Sequence, residues 1–174
     1  YDPVHHKLYL ACSRLSETVT NVLVVINPAG GGIERQINLP GPAGTMTVSP
    51  AGDYLYLSLN GASRVLRLNL PDLTTDLLFA TPGTADCDIV VFPGNTRSIA
   101  FSAFGAQIPS PSGVWIFDDD KPRPVSVPGG YNGVGLIEPG SSSNQIIGFT
   151  GSRFRTLSLD AEGVRYANWG PYNS

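Results

Sequence analysis

Lysine occurs only twice in these 174 residues, at Lys7 and Lys121, and histidine only as the neighbouring pair His5 and His6. The other cations are nine arginines, the net charge is −3, and no basic stripe appears. This argues against nucleic acid as a partner, because neutralising phosphates takes clustered cations. Charged residues make up 14% of the chain, against about a quarter in an average domain. No apolar run approaches the ~18 residues that a membrane-spanning helix needs. Cysteine is confined to Cys12 and Cys87, which have neither CxxC nor metal-site spacing. They fall in non-adjacent repeats, which argues against a bridge between them. The two histidines sit in a turn far from Cys87, leaving that thiol without a base to activate it. Sustained helical spacing of apolar residues is missing, as are a Walker loop, a dinucleotide fingerprint and a paired-carboxylate or Ser-His-Asp arrangement. The residues therefore assign no catalytic group, no metal and no cofactor. The N-terminus carries neither an initiator methionine nor a leader pattern.

What the chain has in quantity is turn chemistry. Glycine and proline together number 35, close to twice their average share, and they are spread along the whole length. They punctuate a phrase that returns four times: DPVHHKLYLACS from Asp2, SPAGDYLYLSLN from Ser49, FPGNTRSIAFSA from Phe92 and EPGSSSNQIIGF from Glu138. Each has a proline, a short polar turn and an apolar strand. The prolines, Pro3, Pro50, Pro93 and Pro139, are spaced 47, 43 and 46 residues apart. A period of about 40–50 residues built from short strands is the range of β-propeller blades.

The second repeat divides most clearly. Met46–Ser49, Tyr54–Leu59, Arg64–Leu70 and Asp76–Ala80 read as strands, with Gly, Pro, Asn or Asp at each break. The first repeat offers Lys7–Ala11, Val22–Ile26 and Glu34–Leu39. The third offers Ile89–Val91, Ser98–Ser102, Val114–Phe117 and Val125–Val127, and the fourth Val134–Ile137, Gln145–Thr150, Phe154–Leu159 and Val164–Asn168. In Tyr54–Leu59 the leucines point one way and the tyrosines the other. Val22–Ile26 is apolar on both faces, as a strand wedged between two neighbouring blades requires. The expected fold is all-β: a propeller segment of about four four-stranded antiparallel blades, spanning roughly 1–45, 46–88, 89–134 and 135–174, in one partial domain. Tyr1 falls inside the turn of the first repeat, so the first blade is expected to lack its inner strand and the chain to be a piece of a longer one.

The stretch Ser49–Leu70, SPAGDYLYLSLNGASRVLRLNL, resembles the YVTN-type repeat of lactonase-like and surface-layer-like β-propellers. Ala51 stands where that pattern has Asp, and Arg67 and Asn69 vary its third strand. The first repeat matches through LYLAC and NVLVVINP; the third and fourth match in spacing rather than letters. The Gly-His and Trp-Asp signature of WD40 repeats is missing, as is a kelch pattern. The resemblance implies a ring of about seven blades, so the partners include the remaining blades of a longer parent chain. It also implies that binding falls on the rim shared by the blade-to-blade loops and the second-to-third-strand loops.

Several residues on that rim are candidates for ligand contact. In Ala85–Asp88, Asp86 and Asp88 flank Cys87; hard cations take oxygen ligands, but two carboxylates are too few for a site. Phe104 and Gln107 lie in the long connection Ala103–Gly113, and Ser13–Asn21 is a second long one. Long loops on a rigid scaffold are where recognition tends to sit. Tyr131, Asn132 and Trp169 offer flat or hydrogen-bonding groups for a glycan. Asp118–Pro124, DDDKPRP, reads as a solvated hairpin tip. The reading favours a non-catalytic binding or scaffold module of a bacterial extracytoplasmic protein, contacting protein or glycan. The alternative is part of a lactonase-like hydrolase or quinoprotein-like dehydrogenase whose site other blades complete.

Overall fold

The computed structural model describes residues 1–14, 18–82, 85–104, 111–129, 133–150 and 152–167. Four antiparallel sheets follow one another along the chain. The first contains β1 (Leu8–Arg14), β2 (Thr20–Ile26) and β3 (Ile33–Asn38), in that order. The second is β4 (Ala43–Val48), β5 (Tyr54–Leu59), β6 (Arg64–Asn69) and β7 (Thr74–Ala80). The third is β8 (Ala85–Phe92), β9 (Asn95–Phe104) and β10 (Pro111–Asp118), with the short β11 (Lys121–Pro122) and β12 (Val127–Pro128) both pairing with β10. The fourth is β13 (Leu136–Pro139), β14 (Gln145–Phe149), β15 (Phe154–Asp160) and β16 (Gly163–Tyr166). Each sheet is an up-and-down meander, and the described residues contain no helix. This is the β-propeller segment expected from the repeated phrase.

The core lies between sheets, not within them. Leu55, Leu57 and Leu59 of β5 pack with Tyr9, Leu23 and Val25 of the first sheet. Tyr56, on the other face of β5, packs with Val65, Ile89, Ile99, Phe101 and Phe117 against the third sheet. A further layer joins Val90, Ala100, Val114 and Ile116 to Ile137, Ile146 and Leu157 of the fourth sheet. The alternation of leucine and tyrosine along β5 thus sorts its side chains to two different neighbours. Phe117 anchors the middle layer, with ring centroids 5.3 Å from Phe79 and 6.3 Å, edge-to-face, from Phe101.

In the second sheet β4 is the inner strand and β7 the outer one. The inner strands β4, β8 and β13 contact one another in sequence. In the first sheet, β1 and β2 match β5 and β6, so the described first sheet has three strands and β1 forms its inner edge. The turns also correspond: Asp2 N–H donates to the Lys7 carbonyl at 2.8 Å, as Ser49 N–H donates to that of Tyr54 at 2.8 Å.

Two inner strands begin earlier than the repeat divisions drawn from sequence: β4 at Ala43 and β8 at Ala85. Ala-Gly-Thr and Ala-Asp-Cys-Asp lack the β-branched or aromatic residues that mark a strand. Asp86 and Asp88 therefore belong to a strand and not to a crossing loop. The hairpin tip read at Asp118–Pro124 is a turn, but not merely a solvated one: Asp118 pairs with Arg123, Asp119 pairs with Arg97 and, across a blade boundary, with Arg67, and Arg123 also donates to the Asp160 carbonyl of the fourth sheet. At the periphery the third and fourth sheets meet through backbone. Val125 N–H donates to the Glu162 carbonyl at 2.8 Å, and Val164 N–H to the Val125 carbonyl at 3.1 Å.

Candidate functional site

The connections of an antiparallel meander alternate between two rims. The upper rim carries the blade-to-blade and second-to-third-strand loops. The lower rim carries the first-to-second and third-to-fourth-strand turns.

Of the seven residues singled out for ligand contact, Asp88 is the one whose side chain is described. Its carboxylate accepts the N–H of Ile89 at 3.0 Å and the N–H of Ile137, in the next blade's inner strand, at 2.9 Å. Its own N–H donates to Ser102 Oγ at 3.3 Å, and the Ser102 hydroxyl, fully buried, donates to the Gly135 carbonyl at 2.5 Å. Asp88 and Ser102 together fasten β8 and β9 to the segment entering β13. Asp86 and Phe104 fall on β8 and β9, with their side chains outside the described set. Gln107, Tyr131, Asn132 and Trp169 lie outside the described residues.

Beside Asp88 the inner strands enclose an open cleft of about 280 Å³, whose walls include Thr45, Thr47, Val90, Ile137 and Glu138. Its lining includes the hydroxyl-bearing Thr45 and Thr47 and the carboxylate-bearing Asp88 and Glu138, so it suits a hydrogen-bonding ligand. Among the described residues no group of three or more His, Cys, Asp or Glu is placed to hold a metal ion. Alanine at Asp88 is expected to leave the Ile89 and Ile137 amides unpaired, with a loss of about 1–3 kcal/mol. Chemical denaturation checks this. An unchanged midpoint in Asp88→Ala would remove the fastening role.

The densest polar constellation is on the lower rim, and sequence reading missed it. Arg67 sits mid-strand in β6 and is 1% exposed. Its Nε donates to Asp76 at 2.6 Å, its Nη1 to the Tyr56 hydroxyl at 3.1 Å, and its Nη2 lies 2.8 Å from Asp119 in the third sheet. The guanidinium also stacks 4.7 Å from the Tyr54 ring centroid. Arg97 Nε donates to the same Asp119 oxygen at 2.8 Å, and the Tyr56 hydroxyl donates to the Thr96 carbonyl at 2.7 Å. Two guanidinium groups and two carboxylates balance. Burial alone would push Arg67 down, but the bonds from Tyr56, Asp119 and Asp76 outweigh it and hold the group above its ordinary value. Burial likewise raises the Tyr56 hydroxyl.

The same device recurs at every blade junction. Arg35 of the first sheet donates to the Asp72 carbonyl of the second at 2.7 Å. Arg67 of the second pairs with Asp119 of the third. Arg123 of the third donates to the Asp160 carbonyl of the fourth at 2.6 Å, while its fork grips Asp118 through two bonds of 2.9 Å. In each case an arginine of one blade reaches the third-to-fourth-strand turn of the next. The excess of arginine over lysine was the available signal, since a planar fork with five donors holds two partners at once. A charge amid the apolar residues of Arg64–Asn69 was the second.

A smaller fixture closes the first turn. Asp2 is fully buried and accepts bonds from the N–H of Val4 at 2.9 Å, the N–H of His5 at 3.1 Å and the Tyr9 hydroxyl at 3.3 Å. His5 Nδ1 lies 2.7 Å from it. Burial and the Asp2 charge push the Tyr9 hydroxyl up to about 12. Burial would also raise the Asp2 carboxyl, but the His5 and amide bonds hold it below the usual range. The Arg123 fork lowers Asp118; at Asp119 the bonds from Arg97 and Arg67 overcome a raising effect of burial.

These three carboxylates have folded values below the unfolded one, so the unfolded chain binds more protons in acid. Their contribution is fully present above about pH 4 and is lost as pH falls through the folded values. The melting temperature is expected to be level from pH 7 to about pH 5 and to drop below pH 4. Asn at Asp119 should flatten that drop; an identical acid limb would show that the network plays no part.

No protein-family model and no curated protein sequence matches the chain. Solved structures do. The WD40 domain of coronin from Toxoplasma gondii aligns with a TM-score of 0.73 at 13% identity, over 97% of this chain and 43% of that one. The WD40 repeats of RRP9 align with a TM-score of 0.73 at 12% identity, over 95% and 48%. A functionally unknown protein from Desulfotomaculum acetoxidans aligns with a TM-score of 0.67 at 12% identity, over 84% and 46%. The chain spans about half the length of the structures it matches. At these identities the likeness is one of fold: the chain is a β-propeller segment, reached without the WD40 letters.

Proposed function

We propose that this segment is the scaffold and part of the binding rim of a non-catalytic β-propeller, with the upper-rim loops contacting protein or glycan. The carrying observation is where the charge goes. Arg35, Arg67, Arg97, Arg123, Asp76, Asp118 and Asp119 are engaged with one another and with backbone at the lower-rim seams. Asp88, at the cleft, is bonded to two amides. Such groups position blades; they are not poised to move protons. The longest second-to-third-strand connections in the sequence, Ser13–Asn21 and Ala103–Gly113, are the ones this reading assigns to the upper rim. WD40 neighbours support an interaction module in general terms, and the YVTN-type letters of Ser49–Leu70 support an extracytoplasmic bacterial protein with further blades in a longer chain.

Glycan-array binding alongside a lactone-hydrolysis assay tests the reading. Binding without turnover is expected, weakened by alanine at Gln107, Tyr131 or Trp169. Lactone turnover abolished by Asp88→Asn would overturn it in favour of a hydrolase.

A further inference from the structure

Arg155 is half-buried, yet it makes none of the ties that the other arginines make between sheets. It lies near the upper end of β15, two positions from Leu157 and on the same face. That face packs against the third sheet, since Leu157 and Ile137 belong to the layer the two sheets share. Arg155 stands opposite Gly148, and Gly148 opposite Ile137. Gly148 brings no side chain, and Val134 fills the space above it, where a Cβ would lie 2.5 Å from Val134 Cγ1. Arg155 is thus the polar member of an otherwise apolar row, at the mouth of the seam between the third and fourth sheets.

The arginines of the lower rim have acceptors. Arg67, Arg97, Arg123 and Arg165 are each paired with an aspartate, and Arg35 bonds a carbonyl. Arg155 has no hydrogen bond or ion pair among the described residues. Its electrostatic neighbour is Tyr166, half-buried and opposite Leu157. Burial raises the Tyr166 hydroxyl against a lowering by the Arg155 charge, so the phenol stays protonated at neutral pH. Among the described side chains of the upper rim Asp88 is the carboxylate, and two amides already hold it. Arg64 and Arg153, exposed on that rim, add positive charge.

We propose that Arg155 holds the carboxylate of an acidic sugar, so that the upper rim between the third and fourth sheets takes a uronate-type glycan. This rests on the rim reading above and names its ligand class. A half-buried guanidinium without an acceptor has given up water and gained no partner; a carboxylate supplies two oxygens in one plane. The strands around this seam are β10, β12 and β16, which contact one another. Tyr131 follows β12 and Trp169 follows β16 in the chain, so flat groups suited to a sugar ring come from the same strands. An acidic peptide would call for a row of cations, whereas Arg64 belongs to the second sheet.

Calorimetric titration with a short oligogalacturonate and with its methyl ester tests this. The acid is expected to bind about tenfold or more tightly than the ester. Gln at Arg155 should lower affinity for the acid to that for the ester, while the thermal midpoint holds or rises because no internal bond is lost. Lys at Arg155 should restore part of the preference, as a point charge in place of a fork. Gln at Arg64 should leave the preference intact at physiological salt, where screening removes its field. Equal binding of acid and ester, or a preference that survives Arg155→Gln, would overturn the site. So would a midpoint lowered by several degrees in that variant, which would give Arg155 a partner within the fold. A poly-glutamate peptide that displaces the oligogalacturonate at equal concentration would assign the seam to an acidic protein segment and overturn the ligand class. If glycans of neither charge bind, the rim reading falls and this inference with it. If a neutral glycan binds in a Trp169-dependent way and Arg155→Gln changes nothing, this inference alone falls.

Discussion

Alanine at Arg67 is expected to destabilise the protein by about 3 kcal/mol, the lower end of the range for breaking a buried ion pair. The guanidinium is 1% exposed and bonds Asp76, Asp119 and the Tyr56 hydroxyl. Its removal takes from Asp76 its guanidinium partner, strips Asp119 of one of its two, and leaves a cavity beside Tyr54. The lower end applies because Asp119 is 38% exposed and keeps Arg97 as a partner. Native domains hold only about 5–15 kcal/mol in all, so a large shift of the urea midpoint should follow. The pairwise origin is separable by a double-mutant cycle. Arg67→Met with Asp76→Leu should recover part of the loss, because an apolar replacement of both partners carries no uncompensated charge. Additive losses would mean that the arginine acts by packing alone.

Valine at Gly163 is expected to be at least as damaging, at about 3 kcal/mol or more, through backbone strain and collision together. Gly163 has φ +142°, a conformation that side-chain-bearing residues rarely adopt, and a Cβ there would lie 1.9 Å from the Val125 carbonyl oxygen. That carbonyl receives the Val164 N–H, and the Glu162 carbonyl receives the Val125 N–H. The obstacle is backbone, so it cannot turn aside as a side chain would. Relief requires parting the third and fourth sheets at their periphery. Calorimetry of Gly163→Val should show a lowered midpoint, and exchange should quicken first in β16 and around Val125. A midpoint within a degree of the parent protein would refute the account.

These effects bear on how far the chain could be read from its letters. The strands were legible where period-two alternation and turn residues coincide, as in Tyr54–Leu59 and Arg64–Leu70. The first residues of β4 and β8 were not, because alanine, glycine and aspartate carry no strand signal. The charged ties were hidden for another reason. Arg67 and Asp119 lie in different repeats, and Asp88 meets a backbone N–H 49 residues away, a partner that no side-chain motif announces. Arg67 was visible only as a departure from the repeat pattern. The departure marks the place where one blade holds the next. Among the proposed rim residues, Asp88 proved to be tied into the scaffold.

The three apolar layers have a further meaning for how the molecule unfolds. Each layer belongs to two sheets, and none is enclosed by a single repeat. A blade on its own is therefore close to unstable, and order passes between nearest neighbours along a line. The second and third sheets, gripped on both faces, form the keel. A cut between blades would remove half a layer from each fragment and leave neither with the contacts that made it whole.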